Sequence, residues 1–135
     1  MKLFIDNNLP VSLAVALNAL AEAQGHEVTH LTGRFAPSTP DHEWINALAE
    51  EEGWVLVTQD RLKKNDLEKK AFRESGLTAF FLMKGWSSLK YWDKSWKLVR
   101  WWPAIIDQAK RVQPGASFQV PVNFSGNGKF KQHNY

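Results

Sequence analysis

Short apolar segments alternate with helical segments along the first 82 residues, and this alternation limits the fold more than any other feature of the chain. The apolar segments cover residues 2–5, 27–31, 54–57 and 77–82. Segments with helical character separate them, at residues 11–23, 39–53 and 67–75. Strands that alternate with helices form a parallel sheet with helices on both faces. The sequence therefore predicts an α/β fold with a central, mostly parallel sheet.

The C-terminal part of the chain predicts a long helix followed by a β-hairpin. Apolar residues recur at spacings of three and four between residues 89 and 112, and Pro103 should kink this helix or divide it. From Phe118 to Phe124, apolar residues alternate with others, which is typical of a strand. Pro121 cannot donate to a ladder, so this strand is expected at a sheet edge. A turn at 125–128 and a return strand at 129–131 complete the hairpin.

Charge divides the chain into two parts of what we expect to be a single domain spanning residues 1–135. Residues 1–83 form an acidic core, with eight Lys or Arg and twelve Asp or Glu. Residues 84–135 form a basic extension, with nine Lys or Arg, two Asp or Glu, and five of the seven Trp. The chain has no cysteine, which excludes disulfides, thiolate metal ligands and cysteine nucleophiles. Because cysteine is absent, we expect a cytoplasmic protein. No apolar run reaches the ~20 residues of a membrane helix, so no membrane partner is expected.

Two carboxylates directly follow two of the predicted core strands. Asp6 follows the strand residues 3–5, and Asp60 follows the strand residues 54–58. Ligands of open parallel sheets bind outside the carboxyl ends of the strands, where the strand order reverses. If the two strands are neighbours, Asp6 and Asp60 meet at that crevice. Asp41, at the start of the second helix after its expected cap Thr39, could approach the same edge.

Further polar residues near these acids are candidates for the same site. Glu43 could substitute for Asp41, and Asp66 could complete a fourth corner. Asn7 and Thr58 flank the two strand-end acids with hydrogen-bonding side chains. Each of these acids also has an ordinary role open to it, because aspartates are common turn formers and caps. The charged residue Glu68 has lysine neighbours and is expected at the surface.

A cluster of carboxylates is stable only if it binds cations or protons. Three carboxylates ~4 Å apart repel one another by about 1 kcal/mol per pair even in water. Mg²⁺ prefers oxygen ligands, so the pattern predicts a magnesium site. Such an ion can polarise a phosphoryl oxygen and lower the pKa of a bound water, which then attacks phosphorus. Competing chemistries lack their motifs: no nucleophile-elbow serine and no glycine-rich phosphate loop is present.

The residues around the three aspartates resemble the short PIN-like domains of bacteria and archaea, which belong with the VapC-type toxins of toxin–antitoxin pairs. The resemblance covers about residues 1–83. The segments that carry it are residues 4–10 (FIDNNLP), 40–44 (PDHEW) and 55–60 (VLVTQD). No motif of residues 84–135 contributes to it, so this part would be a variant extension.

The resemblance implies a three-layer α/β/α fold and a ribonuclease that depends on Mg²⁺ or Mn²⁺. The matching positions assign metal binding to Asp6, Asp41 and Asp60, and assign Thr58 to positioning a metal ligand or water. The family often has Asp-x-x-Phe after the last of these strands, whereas residues 60–63 here read DRLK. Asp66 would then be a displaced fourth acid, and this departure bears on whether one metal ion or two would bind.

The basic extension is expected to bind the RNA and a partner. Four cations of the long helix could neutralise phosphates, namely Lys90, Lys94, Lys97 and Arg100. The resemblance implies a cognate antitoxin protein. The Trp spacing on the same helix (Trp92, Trp96 and Trp102) favours burial in the core or in a homodimer.

Two other functions remain open at this point. One is a PIN-like module that binds RNA or protein without turnover, because the fourth acid departs from the family pattern. The other is a phosphatase-like hydrolase that forms an aspartyl-phosphate at Asp6. That chemistry favours a second acid two residues later, where this chain has Asn8.

Overall fold

Residues 1–126 and 128–135, which the computed structural model describes, form six β-strands and four α-helices. The strands are β1 (Lys2–Ile5), β2 (Glu27–His30), β3 (Trp54–Thr58), β4 (Thr78–Leu82), β5 (Ser117–Val120) and β6 (Lys131–Gln132). The helices are α1 (Val11–Glu22), α2 (Asp41–Glu51), α3 (Asp66–Ser75) and α4 (Tyr91–Arg111). Two short 3₁₀ turns occur at Leu31–Gly33 and Trp86–Ser88.

The six strands form one sheet in the order β2-β1-β3-β4-β5-β6. Strands β1 to β5 are parallel, and β6 runs antiparallel to β5. The predicted mostly parallel α/β sheet is therefore confirmed. The order reverses between β1 and β3, because the chain leaves β1 for β2 on one side and later returns to place β3 on the other. A ligand crevice is expected at the carboxyl ends of these two strands.

Helices cover both faces of the sheet, which confirms the three-layer α/β/α arrangement. Alternate strand residues point to opposite faces. On one face, Leu3 and Val57 contact a core cluster that includes the buried sides of α1 and α4. On the other face, Phe4 and Leu56 contact the buried sides of α2 and α3. Full burial of each such side chain contributes about 1.5–3 kcal/mol.

The C-terminal segment joins the sheet differently from the sequence prediction. Strand β5 is bonded to β4 on one side and to β6 on the other, so the expectation of an edge strand is wrong. The strand ends at Val120, because Pro121 has no N–H to continue the ladder. The antiparallel β5–β6 pair bears out the predicted hairpin, with the return strand at Lys131–Gln132. The predicted turn at 125–128 includes Asn127, which lies outside the described residues.

Two helix details also differ. Pro40, rather than Thr39, occupies the N-cap position of α2, and no side chain caps this helix. Pro103 lies inside α4 without dividing it, since α4 is a single helix from Tyr91 to Arg111.

No helix in residues 1–126 and 128–135 combines the length and the apolar character needed to cross a membrane.

Candidate metal centre

The carboxyl ends of β1 and β3 lie side by side and open into an acidic cavity of about 350 Å³. Pairing of Ile5 with Val57 brings the residues that follow each strand together. Asp6, Asp41 and Asp60 all line this cavity, as does Asn7. The three predicted metal-binding aspartates therefore converge, although 54 positions separate the first from the last.

Asp6 is held at the back of the cavity and is only 4% exposed. The Thr58 hydroxyl donates to Oδ2 of Asp6, and the backbone N–H of Asn8 donates to Oδ1 at 3.2 Å. Burial raises the pKa of Asp6 to about 7, against the lowering effect of the bonds from Thr58 and Asn8. The charges of Asp60 and Asp41 raise this pKa further. Thr58 thus orients the Asp6 carboxyl group, and its predicted role toward a metal ligand or water stays a prediction.

Asp41 and Asp60 each use one oxygen to fix their orientation. Oδ1 of Asp60 accepts a hydrogen bond from the backbone N–H of Leu62 at 2.9 Å. Oδ1 of Asp41 accepts one from the indole Nε1 of Trp44 at 3.0 Å. The second oxygen of both residues, Oδ2, faces the ammonium group of Lys64 at the cavity.

Glu68 supplies a fourth carboxylate that sequence reasoning missed. It is 2% exposed, and its Oε1 has no hydrogen-bond partner among the described residues. Oxygen atoms of Asp41, Asp60 and Glu68 lie within 4.8 Å of one another. Burial, followed by the charges of Asp41 and Asp60, raises the pKa of Glu68. An unpaired, buried carboxylate oxygen in an acidic cluster requires a proton or a cation.

The sequence does contain a signal for Glu68. It shares the buried face of α3 with Ala71 and Phe72, at the helical spacing of three and four. Asn65 caps this helix and accepts a hydrogen bond from the Glu68 N–H at 2.9 Å. A glutamate on an otherwise apolar helix face points inward rather than to solvent.

Two other predicted acids do not join the cluster. Glu43 and Asp66 are exposed residues of the first turns of α2 and α3, and neither lines the acidic cavity. Both lie where a negative charge favours the helix dipole. The fourth corner that the sequence assigned to Asp66 is occupied by Glu68.

The donor set fits a hard divalent cation. All the clustered ligand atoms are carboxylate oxygens, the donors that Mg²⁺ prefers, and Glu68 contributes one of them and has an unpaired Oε1. Asp41, Asp60 and Glu68 could bind such an ion, with Asp6 beside them at the cavity wall. Mg²⁺ ordinarily keeps several waters and uses only one or two protein carboxylates. The remaining acids could then bind its waters.

Lys64 places a positive charge beside the two aspartate oxygens that would bind a metal ion. Its Nζ lies 3.1 Å from Oδ2 of Asp60 and 3.6 Å from Oδ2 of Asp41, and its side chain is 67% exposed. The hydrogen bond to Asp60 raises the pKa of Lys64, so it remains charged at neutral pH. Lys64 therefore competes with a divalent cation for the same two oxygens.

Replacement of Lys64 by methionine should tighten metal binding. The change removes a positive charge close to the site, and one such charge at ~4 Å is worth about 1 kcal/mol in water. We expect the Mn²⁺ dissociation constant to fall by about 3- to 10-fold, measured by calorimetry or electron paramagnetic resonance. Lys70→Met removes an exposed charge from α3 and serves as the control. Weaker binding by Lys64→Met would instead mean that Lys64 organises the carboxylates.

The raised pKa of Asp6 predicts that the metal-free protein loses stability as pH rises. The unfolded chain ionises Asp6 near its ordinary value of 3.8, whereas the folded protein keeps it protonated up to about 7. Folding therefore binds a proton within this window, and the free energy of unfolding falls as pH increases through it. A pKa difference of 1 between the folded and unfolded protein corresponds to about 1.4 kcal/mol. The pKa of Glu68 is raised in the same direction.

Urea unfolding in EDTA between about pH 4 and pH 8 measures this dependence. Asp6→Asn should flatten the profile, because it removes the group that takes up the proton. Metal affinity should rise with pH over the same window, since the metal competes with the proton. An Asp6→Asn profile with the same slope as the wild-type profile would show that Asp6 is ionised in the folded protein.

The four cations predicted to bind RNA do not line the acidic cavity. They lie at the start and along the first half of α4, and two of them have local contacts. Lys97 Nζ donates to Oδ1 of Asn123 at 2.9 Å, and Arg100 stacks 3.7 Å from the ring centre of Phe124. Partial burial lowers the pKa of Lys94. Their assignment to RNA binding stays a prediction.

Comparison with known proteins assigns the chain to a family. A family model described as a PIN like domain matches residues 1–84, which is more than half of the chain. No curated protein and no solved structure matches it significantly. The matched segment contains β1 to β4 and the four carboxylates of the acidic cavity. The chain therefore belongs to the PIN-like domain family.

Proposed function

We propose that this protein is a metal-dependent endoribonuclease that hydrolyses RNA phosphodiester bonds, and that it is the toxin of a toxin–antitoxin pair. PIN-like domains are generally nucleases and typically use divalent metal ions. The observation that carries the proposal is the convergence of Asp41, Asp60 and Glu68 within 4.8 Å, with an unpaired buried oxygen on Glu68. The VapC-type resemblance supports the toxin assignment and a cognate antitoxin as partner.

Each residue of the cavity has a distinct task in this proposal. A bound Mg²⁺ or Mn²⁺ would supply Lewis acidity and lower the pKa of water at the phosphodiester. Asp41, Asp60 and Glu68 would hold the cation, and Trp44 and the Leu62 N–H keep the two aspartates oriented. Asp6 lies beside them at the cavity wall, where the Thr58 hydroxyl and the Asn8 N–H orient its carboxyl group.

An RNA cleavage assay tests the proposal directly. Purified protein is incubated with a labelled single-stranded RNA in Mg²⁺, in Mn²⁺ and in EDTA. We expect products in both metals and none in EDTA. Without a divalent cation, the negative charges of the carboxylates repel the phosphate. Intact RNA under all three conditions, or cleavage that EDTA leaves unchanged, would contradict the assignment.

The toxin assignment has a separate test in cells. Expression of the wild-type chain should arrest bacterial growth, and coexpression of a small protein encoded beside its gene should relieve the arrest. Growth unaffected by an active ribonuclease would leave the nuclease assignment intact and remove the toxin assignment.

The Lys64 contacts support a second candidate function, a PIN-like module that binds RNA or protein without turnover. The ammonium group lies 3.1 Å from Asp60 and 3.6 Å from Asp41, so it partly neutralises the cluster without a metal. Such a module would bind its partner equally well with and without divalent ions. Metal-stimulated product in the cleavage assay eliminates this candidate.

The start of α4 supports a homodimer as the oligomeric state. Trp92 is 78% exposed and Trp96 57% exposed, whereas Trp102 is buried in the core at 4%. Exposed aromatic side chains are enriched in protein interfaces. Val15 of α1 and Tyr91 of α4 are also exposed, and the Tyr91 hydroxyl is hydrogen-bonded to α1. These exposed side chains of α4 and α1 would be covered by a second copy of the chain in a homodimer.

Replacing Trp92 and Trp96 with glutamate should abolish the dimer. Two buried charges without partners would make association unfavourable by several kcal/mol, on the order of 3–5. Light scattering coupled to size exclusion should give a dimer for the wild type and a monomer for the variant. Leu67→Glu, at a 61% exposed position on α3, should leave the dimer intact. A monomeric wild type at high concentration would exclude this interface.

A further inference from the structure

A second cavity adjoins the acidic one at the same edge of the sheet. It has a volume of about 350 Å³ and lies at the carboxyl ends of β3 and β4. Asp60 lines both cavities, so the two adjoin at that residue. Three cations line the second cavity: Arg61 and Lys63 follow β3, and Lys84 follows β4. We call this second cavity the basic groove.

The cations of the basic groove lack acidic partners. Arg61, Lys63 and Lys84 are exposed, and none has a carboxylate within 4.0 Å in the part of the chain that the structure describes. His133 forms part of the same lining. Its pKa is lowered by burial and then by the charges of Lys63 and Arg61. The groove therefore has an uncompensated positive charge that an anion would neutralise.

The backbone between Arg61 and Lys63 is held in an uncommon conformation. Leu62 is fully buried and has a φ of 57°, a region that residues other than glycine rarely adopt. Its N–H donates to Asp60 and its carbonyl accepts a hydrogen bond from the Tyr135 hydroxyl. Burial of Leu62 leaves its two basic neighbours exposed at the groove. The same turn therefore orients an acid for the metal cavity and two cations for the groove.

Apolar and aromatic side chains also line the basic groove. The rings of Phe81 and His133 pack with their centres 4.6 Å apart, and Leu82 and Met83 belong to the same lining. Phe81 and Leu82 are buried, whereas His133 and Met83 are partly exposed. A groove lined by exposed cations and by a partly exposed ring suits a single-stranded nucleic acid, whose backbone is anionic and whose bases are flat and apolar on their faces.

We propose that the basic groove binds the RNA strand next to the scissile phosphate, with Arg61, Lys63 and Lys84 contacting its phosphates. This inference rests on the proposed function, because the strand continues from the acidic cavity across Asp60 into the groove. An acidic protein segment is less suited to the pair of cavities, since it offers no phosphate to a cation held by Asp41, Asp60 and Glu68. The groove, rather than α4, is then the first contact of the substrate beyond the metal centre.

A binding experiment without metal isolates the groove from catalysis. The probe is a fluorescein-labelled single-stranded RNA oligonucleotide, and its anisotropy is measured in EDTA at several salt concentrations. The test variant combines Arg61→Gln, Lys63→Gln and Lys84→Gln. The matched control combines Lys70→Gln, Lys110→Gln and Lys129→Gln, which removes the same charge from exposed positions outside both cavities.

We expect the groove variant to bind RNA about 10- to 100-fold more weakly than the control at low salt. The slope of log affinity against log salt should become less negative by about 2, since each phosphate contact in a single strand contributes about 0.7. Equal affinity and slope for the two variants would overturn the inference, as would a wild type that binds no RNA. Equally tight binding of polyglutamate would assign the groove to an acidic protein instead.

The outcomes separate the groove from the proposed function. If the wild type binds RNA through the groove but produces no cleavage in Mg²⁺ or Mn²⁺, the nuclease assignment fails and the groove remains. If the wild type cleaves RNA and the groove variant binds and cleaves as the control does, the groove fails and the nuclease assignment remains. Circular dichroism of both variants verifies that the surface changes leave the fold intact.

Discussion

Asp60→Asn should abolish metal-dependent RNA cleavage and leave the fold unchanged. The amide retains an oxygen to accept the Leu62 N–H but removes the negative charge that a divalent cation needs. Loss of a residue that only hydrogen-bonds to a metal ligand lowers metal affinity or activity by about 10- to 100-fold. Loss of the charge of a ligand itself should therefore lower the cleavage rate by more than ~100-fold. The metal-free variant should have a stability close to that of the wild type, because relief of the repulsion with Asp41 and Glu68 offsets the lost charge pair with Lys64.

The matched variants for this test replace other acidic residues, on α2 and α3. Glu68→Gln should lose activity as Asp60→Asn does, whereas Asp66→Asn and Glu43→Gln should retain it, because those two residues are exposed outside the cavity. Initial cleavage rates in Mg²⁺ give the comparison, and Mn²⁺ titration reports binding separately. An Asp60→Asn protein that cut RNA at the wild-type rate would remove the metal centre from the mechanism. If Asp66→Asn lost activity and Glu68→Gln retained it, Asp66 rather than Glu68 would be the metal ligand.

Trp44 should prove to be the residue that couples the core to the metal centre most strongly. Its side chain is fully buried and stacks on Phe4 with ring centres 5.2 Å apart, and its Nε1 donates to Oδ1 of Asp41 at 3.0 Å. Trp44→Ala should cost about 3–5 kcal/mol of unfolding free energy. That is a large part of the ~5–15 kcal/mol of an ordinary domain.

A milder change separates packing from orientation. Trp44→Phe keeps most of the apolar contact but leaves Asp41 without its donor, which should cost about 1 kcal/mol of stability. Metal affinity should fall by about 10-fold, since a ligand has lost its orienting partner. Trp54→Phe is the control, because the Trp54 indole donates to Glu51, outside the acidic cavity. Equal metal affinity for the two Phe variants would show that Asp41 needs no orientation by Trp44.

The sheet and its covering helices could be predicted because their signals are local. Apolar runs of four to six residues and helical spacings appear within a few residues, as in 54–57 and 67–75. The position of β5 could not be predicted in this way. Alternation from Phe118 to Phe124 indicates a strand but does not say which strand it pairs with. Its parallel pairing with β4 depends on where α4 packs, which is a property of the whole molecule.

The residues of the site also divide into those with a local sequence signal and those that depend on the tertiary structure. Asp6 and Asp60 could be predicted because each directly follows a core strand, and the neighbouring strands bring them together. The lysines near Glu68 in the sequence indicate a surface position, whereas its burial depends on the docking of α3. The pairing of Lys64 with Asp41 and Asp60 likewise requires the three-dimensional arrangement of two separate loops.

The parallel pairing of β4 with β5 has a consequence for how the chain can be shortened. The family match ends at residue 84, yet Phe80 stacks on Phe118 with ring centres 5.3 Å apart, and Trp86 donates to the Val120 carbonyl at 3.0 Å. A protein truncated at the family boundary would leave β4 as a bare edge and remove α4 from the apolar face beneath it, which favours aggregation. A boundary of resemblance is thus a poor place to cut, because the matched part depends on the remaining residues for its packing.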